Sequence, residues 1–120
     1  MMKARQARQK AERRGRLSER VAAVWLTLKG YRIVALRYRT PVGEIDIIAM
    51  RGDLAVFVEV KARRQEGLAI DAVGPAAQAR IRAASDIWLS RRKNAARLSQ
   101  RYDIVAVLPF TLPRHFPDAF

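Results

Sequence analysis

The chain has 120 residues, with 24 Lys and Arg against 11 Asp and Glu, a single His, no Cys, and half of its residues hydrophobic. That describes one compact soluble domain able to bury roughly two-thirds of its unfolded surface, and it excludes disulfide frameworks, cysteine zinc sites and any metal cluster built on His115 alone. No apolar run approaches the ~20 residues of a membrane span, and the basic N-terminus lacks the apolar stretch of a signal peptide, so a cytoplasmic protein with no membrane partner is expected.

Residues 1–16 are basic and nearly free of large apolar side chains, so they are expected to be a flexible arm or a fraying helix extension. The folded domain is expected over 17–108. The spacing of Leu17, Val21, Val24 and Leu28, with Ser18 near the start and Gly30 as a stop, predicts a first helix over 17–29. Ala22, Ala23 and Leu26 make this helix apolar almost all round, which predicts that it is largely buried. Three runs rich in β-branched and aromatic residues follow, Tyr31–Arg39, Gly43–Met50 and Leu54–Ala62, and read as consecutive antiparallel strands. Residues 63–74 read as a loop. Pro75 opens a second helix whose stripe of Ala77, Ile81, Ala84 and Trp88 carries it to about Arg92. Tyr102–Leu108 is a fourth strand, and three prolines make 109–120 an irregular tail. The order α-β-β-β-α-β predicts an α/β fold, a mixed four-stranded sheet flanked by helices.

A net charge of +13 points to a polyanionic partner, and its distribution is informative. Residues 1–20 carry +6 and 80–101 carry +6, whereas 41–60 carry −3. An acidic island therefore sits between basic flanks, which include Arg16 and Arg39. Nineteen of the basic residues are Arg, whose planar fork suits bidentate contact with phosphate, although a GC-rich genome would give the same bias.

The acidic island lies on a hairpin whose register can be read. A two-residue Gly52-Asp53 turn makes Arg51 face Leu54 and pairs Ala49 with Val56, Ile47 with Val58 and Ile45 with Val60, an apolar face. The other face then opposes Ile48 to Phe57, Asp46 to Glu59 and Glu44 to Lys61. Two carboxylates so opposed lie about 5 Å apart, where their repulsion is roughly 3 kcal/mol at an effective dielectric near 20. Lys61 relieves part of this, and a hard divalent cation, Mg²⁺ or Mn²⁺, relieves more. Two carboxylates, an ion and an ammonium form a hydrolytic arrangement. The rival reading is an ordinary cross-strand ion-pair network on a solvent-facing sheet. Ile48 and Phe57 on the same face argue that a helix covers it, which makes unrelieved acid costly.

These residues resemble the PD-(D/E)xK restriction-endonuclease-like superfamily, and more closely the bacterial YraN-like family (uncharacterised protein family 0102) of predicted endonucleases. The resemblance runs over residues 15–108 and is carried by Gly30-Tyr31-Arg32-Ile33, Gly43-Glu44-Ile45-Asp46-Ile47-Ile48-Ala49, Phe57-Val58-Glu59-Val60-Lys61-Ala62-Arg63, Asp71-Ala72-Val73 and Arg101-Tyr102-Asp103-Ile104-Val105. It implies a restriction-endonuclease-like core and a Mg²⁺- or Mn²⁺-dependent phosphodiesterase acting on DNA rather than RNA, branched structures included. It further implies that Asp46, Glu59 and the Val60 carbonyl are metal ligands, that Lys61 is the catalytic lysine, and that Glu19 faces the same site. A first-turn acid favoured by the helix dipole is the equal alternative for Glu19. Gln78 matches a polar position that reaches toward the site in some members, although a solvated helix residue is the favoured reading, and Arg63 and Arg64 are well placed for phosphates, with solvent-exposed ion-pair partners as the alternative. Ala77 and Tyr38 stand where the family commonly has Lys and Asn. The alternative function is a catalytically inactive nuclease-like module that holds DNA or RNA. A weaker one is an interaction protein using Trp25, Trp88 and Phe57; a homodimer is compatible with the resemblance, though the sequence displays no dimer seam.

Overall fold

The hairpin at Gly52 organises the sheet. In the computed structural model, which describes the backbone of residues 2–120 and the side chains of all of these except 2, 11, 12 and 14, Gly52 takes φ 58°. A type II′ turn demands such a positive value at its first central residue, and glycine supplies it without a Cβ penalty. The flanking strands β2 (Gly43–Arg51) and β3 (Leu54–Ala62) pair antiparallel as the turn dictates, with Ile47 opposite Val58, Ala49 opposite Val56 and Arg51 opposite Leu54. β1 (Arg32–Thr40) lies antiparallel on the far side of β2, and β4 (Ser99–Val107) lies parallel to β3.

The sheet has five strands, not four, in the order β1-β2-β3-β4-β5. The fifth, β5 (Arg114–Phe116), comes from the proline-rich tail and pairs antiparallel with β4. The expected loop over 63–74 contains a six-residue helix, α2 (Glu66–Asp71), and leads to α3 (Pro75–Ser90). A parallel β3–β4 pair requires such a crossover.

The first helix, α1 (Met2–Leu28), is continuous through the basic N-terminal stretch. Among its side chains, Ser18, Ala22 and Leu26 are buried, and Ala22 and Leu26 pack, with Tyr31, on Ile47, Ala49, Val56, Val58, Val60 and Val105. Full burial of a side chain such as Leu26 is worth about 1.5–3 kcal/mol. The stripe Leu17, Val21, Val24 and Leu28 points the other way and is exposed, contrary to the expectation of a largely buried helix. An all-round apolar helix can dock by either side, and the small Ala22 and Ser18 permit the closer approach. On the opposite face of the sheet, Ile81, Ala84 and Trp88 of α3 cover Ile45, Ile48, Met50, Phe57 and Ile104. Phe57 and Trp88 meet edge to face with ring centroids 5.7 Å apart, so they are core residues and cannot form the interaction surface weighed for them.

Gly43 fixes how closely α3 approaches. A Cβ there would lie 2.5 Å from the Arg80 carbonyl oxygen, so no other residue fits without moving the helix.

Candidate active site

Strict alternation would place Ile45 with Ile47 and Ala49. Instead Ile45 packs under α3, while Ile47 and Ala49 pack under α1. The alternation slips at Asp46, and across from it Arg37 of β1 takes a left-handed φ of 51°. This paired kink corrects the regular hairpin expected from the sequence. The β2–β3 ladder runs no further than Ile47 and Val58, so Asp46 does not sit as a regular ladder partner of Glu59. Glu44 does not oppose Lys61 either; it is exposed and pairs with Arg39 at 3.6 Å.

Where the strands part, the Val60 N–H has no β2 carbonyl to meet. It donates to Asp46 Oδ2 at 2.8 Å. A strand residue presents its N–H and C=O to the same side, so the Val60 carbonyl is directed into the same opening. Glu59 shares a hydrogen bond with Asp46, and Lys61 Nζ lies 3.6 Å from Glu59 Oε1. Burial pushes the Glu59 carboxyl well above the usual range; the hydrogen bond with Asp46 and the charge on Asp46 push it further, and Lys61 offsets only part. These surroundings favour the protonated form of the Glu59 carboxyl.

These groups line a cavity of about 360 Å³ between the C-terminal end of β3 and the middle of α1, bounded also by Gly15, Ser18, Glu19, Ala62 and Arg63. Glu19 reaches this cavity, but its carboxylate is bound to Arg37 Nε at 2.6 Å. Among the described residues no group of three or more His, Cys, Asp or Glu side chains forms a metal-binding cluster. The groups that could hold a cation here are the half-buried Asp46 and Glu59 carboxylates and the Val60 carbonyl, three hard oxygen donors at the cavity wall. That donor set fits Mg²⁺ or Mn²⁺ with water completing the shell.

The remaining sequence-derived candidates divide in two. Arg63 borders the cavity, while Arg16 and Arg39 border an adjoining one with Arg20, Arg37 and Glu19, so the cationic groups form a track beside the acids. Arg64 is exposed and borders neither. Gln78 is not brought to the site: it lies on α3, and its Nε2 donates to the Val73 carbonyl at 3.0 Å. That bond closes the loop entering α3 and leaves the amide no reach toward the acids.

The model of the Uncharacterised protein family UPF0102 matches residues 18–107. The chain belongs to the UPF0102 family. A UPF0102 protein of Rhizobium etli (strain CIAT 652) is 73% identical over 113 residues, covering 94% of this chain and 93% of its own length. UPF0102 proteins of Agrobacterium fabrum (strain C58) and Rhizobium meliloti (strain 1021) are 63% identical over 113 residues and 64% over 111, covering 94% and 92% of this chain and 93% and 91% of their own lengths. The span matched by the UPF0102 model contains Glu19, Arg39, Asp46, Glu59, Val60, Lys61, Arg63, Arg64 and Gln78, and leaves Arg16 and β5 outside it.

Within the UPF0102 span, sequence reasoning passed over Arg37. The sequence carried little signal for it, since β1 holds three arginines, Arg32, Arg37 and Arg39, and only the fold makes Arg37 the half-buried one that needs an acid partner. It also passed over Asp103 of β4, which is fully buried and held by Arg101 at 2.7 Å, His115 Nε2 at 2.6 Å and the Asp118 N–H at 3.0 Å. Burial pushes this carboxyl up, but the bonds from Arg101, His115 and Asp118 outweigh it and hold it at about 2. Asp103 ties β4 to the tail and to Tyr31, whose hydroxyl accepts from Arg101 at 2.8 Å. It is a structural anchor of β4, beside Val58 in register, and does not line the cavity around the acids.

Proposed function

We propose that this chain is a metal-dependent endonuclease with a restriction-endonuclease-like core, hydrolysing phosphodiester bonds of DNA. The observation that carries the reading is the Asp46–Glu59 pair: two mostly buried acids meet where the strands separate, beside Lys61 and a main-chain carbonyl, with too little positive charge nearby to satisfy them. A purely structural ion-pair network would be expected to balance its charges, as Asp103 does with Arg101 and His115.

In this reading Asp46, Glu59 and the Val60 carbonyl hold Mg²⁺ or Mn²⁺, which when bound supplies polarisation of a phosphate oxygen and acidification of water. Lys61, held beside Glu59, offsets negative charge that develops on the phosphate. Arg16, Arg39 and Arg63 bind flanking phosphates and fix the register of the strand without reading bases. Glu19 orients Arg37 toward that track. The absence of a base-reading motif in the sequence favours recognition by nucleic-acid shape, branched DNA included.

The test is incubation with supercoiled, branched and single-stranded DNA and with RNA in Mg²⁺ or Mn²⁺, alongside Asp46→Ala and Lys61→Ala. Cleavage that both variants abolish while salt-dependent binding persists supports the proposal. Binding without cleavage of any substrate favours the catalytically inactive module.

A further inference from the structure

We propose that the exposed stripe of α1 is a self-association surface, on which a second copy of this chain docks its own α1 antiparallel. The inference is independent of any nuclease activity. Leu17, Val24 and Leu28 are 63%, 60% and 75% exposed and Val21 is 36% exposed, on a helix whose opposite side is already committed to the core. Their spacing of four, three and four residues is the d-a-d-a pattern of a coiled-coil seam. A stripe restricted to those positions is the narrow kind made for one partner helix rather than for a broad core.

The surface continues beside the helix. Trp25, Leu112 and Pro113 join Val21, Val24 and Leu28 around a hollow of about 390 Å³, and Leu112 is itself 67% exposed. Between residues 17 and 28 the sequence has only two charges, and one of these, Glu19, is turned inward to Arg37. The flanks of the seam therefore present almost nothing that a second copy would repel.

Charge also decides the orientation. Residues 2–16 contain seven basic residues and one acidic one, and a parallel pair would run these stretches side by side. An antiparallel pair centred between Val21 and Val24 sets Leu17 against Leu28 of the other copy and sends the two basic stretches to opposite ends. It leaves Arg20 facing Thr27, with no like-charge contact along the seam. This arrangement is a closed twofold pair, in which the same patch serves both copies. A three-turn strip supplies less than the ~800 Å² per partner of a standard interface, so the expected association is micromolar. An interfacial membrane helix would flank its apolar stripe with Lys and Arg, whereas here the cations lie along the axis, N-terminal to it.

Sedimentation equilibrium between about 1 and 300 µM tests this at the affinity expected of so small a patch. The intact chain should move toward twice its 13.6 kDa mass, and more so at 0.5 M salt than at about 0.05 M, because screening relieves repulsion between two chains of charge +13. Val24→Glu, at an exposed position, should stay monomeric throughout with an unchanged melting temperature. Mixed Leu17→Cys and Leu28→Cys chains should cross-link to each other and not to themselves. A chain that is monomeric at every concentration, a Val24→Glu variant that associates like the parent, or Leu17→Cys chains that cross-link to themselves would each overturn the proposal. So would a monomer that anionic phosphatidylserine vesicles retain and Val24→Glu releases, which would make the stripe a membrane contact.

Discussion

Replacing Glu59 by Gln should stabilise the metal-free protein at neutral pH, the opposite of what removing a buried polar partner usually does. In the metal-free fold, burial and Asp46 raise the Glu59 carboxyl well above its ordinary value, while the nearest ammonium, Lys61, is 3.6 Å away. A glutamate that ionises near 4.3 in the unfolded chain but is held protonated at pH 7 costs the fold up to about 3.5 kcal/mol. The amide introduced by Glu59→Gln would keep an N–H donor for Asp46 without that cost, so a gain of about 1–3 kcal/mol is expected, a large share of the 5–15 kcal/mol of a small domain. The sign fixes the pH window. A carboxyl raised on folding is no burden below its unfolded value, and its cost grows as pH rises above that value. Glu59→Gln should therefore match the parent near pH 4 and exceed it increasingly toward pH 8. Mg²⁺ should raise the melting temperature of the parent and leave Glu59→Gln almost unchanged, because the variant lacks the second carboxylate. Urea unfolding at both pH values, with EDTA and with Mg²⁺, checks this. A variant less stable than the parent at pH 7 in EDTA, or a difference that does not vary with pH, would refute the account of the acid pair.

Asp103, held at about 2 by Arg101, His115 and Asp118, contributes stability that is present above its unfolded value near 4 and lost as pH falls toward 2; that loss, roughly 2 kcal/mol, should appear in acid unfolding and be absent from Asp103→Asn, which is destabilised already at pH 7. Gly43→Ala should cost about 1–3 kcal/mol in urea unfolding, because the new Cβ meets backbone at Arg80 rather than a side chain that can swing away. DNA binding should weaken steeply with salt, and Arg16→Ala and Arg39→Ala should each reduce the slope of log affinity against log salt by about one, whatever the DNA sequence.

The parts of the fold that were legible in the sequence are those fixed by local chemistry. A Gly-Asp turn admits one tight register, and so the pairing of Ile47 with Val58 and of Ala49 with Val56 follows from four residues. Pro75 and the Ile81, Ala84, Trp88 stripe mark α3 in the same way. The slip at Asp46 has no such signature, since a single-residue irregularity leaves composition and spacing unchanged. The expected partners Asp46 and Glu59 meet all the same, but through an opening between strands rather than across a regular ladder. Which side of α1 is buried was equally hidden, because both sides are apolar; in the fold Ser18, Ala22 and Leu26 are the buried ones. β5 has three residues among prolines, too short for periodicity, and its own His115 is held by Asp103 of the neighbouring strand.

The central claim is that Asp46 and Glu59 together hold one divalent cation, and titration of the free Mn²⁺ signal by electron paramagnetic resonance tests it without requiring a substrate. One Mn²⁺ should bind per chain, compete with Mg²⁺, and be lost in Asp46→Ala and in Glu59→Gln while both variants stay folded. Failure of the intact chain to take up Mn²⁺ at millimolar concentration, or uptake that neither substitution alters, would contradict the account.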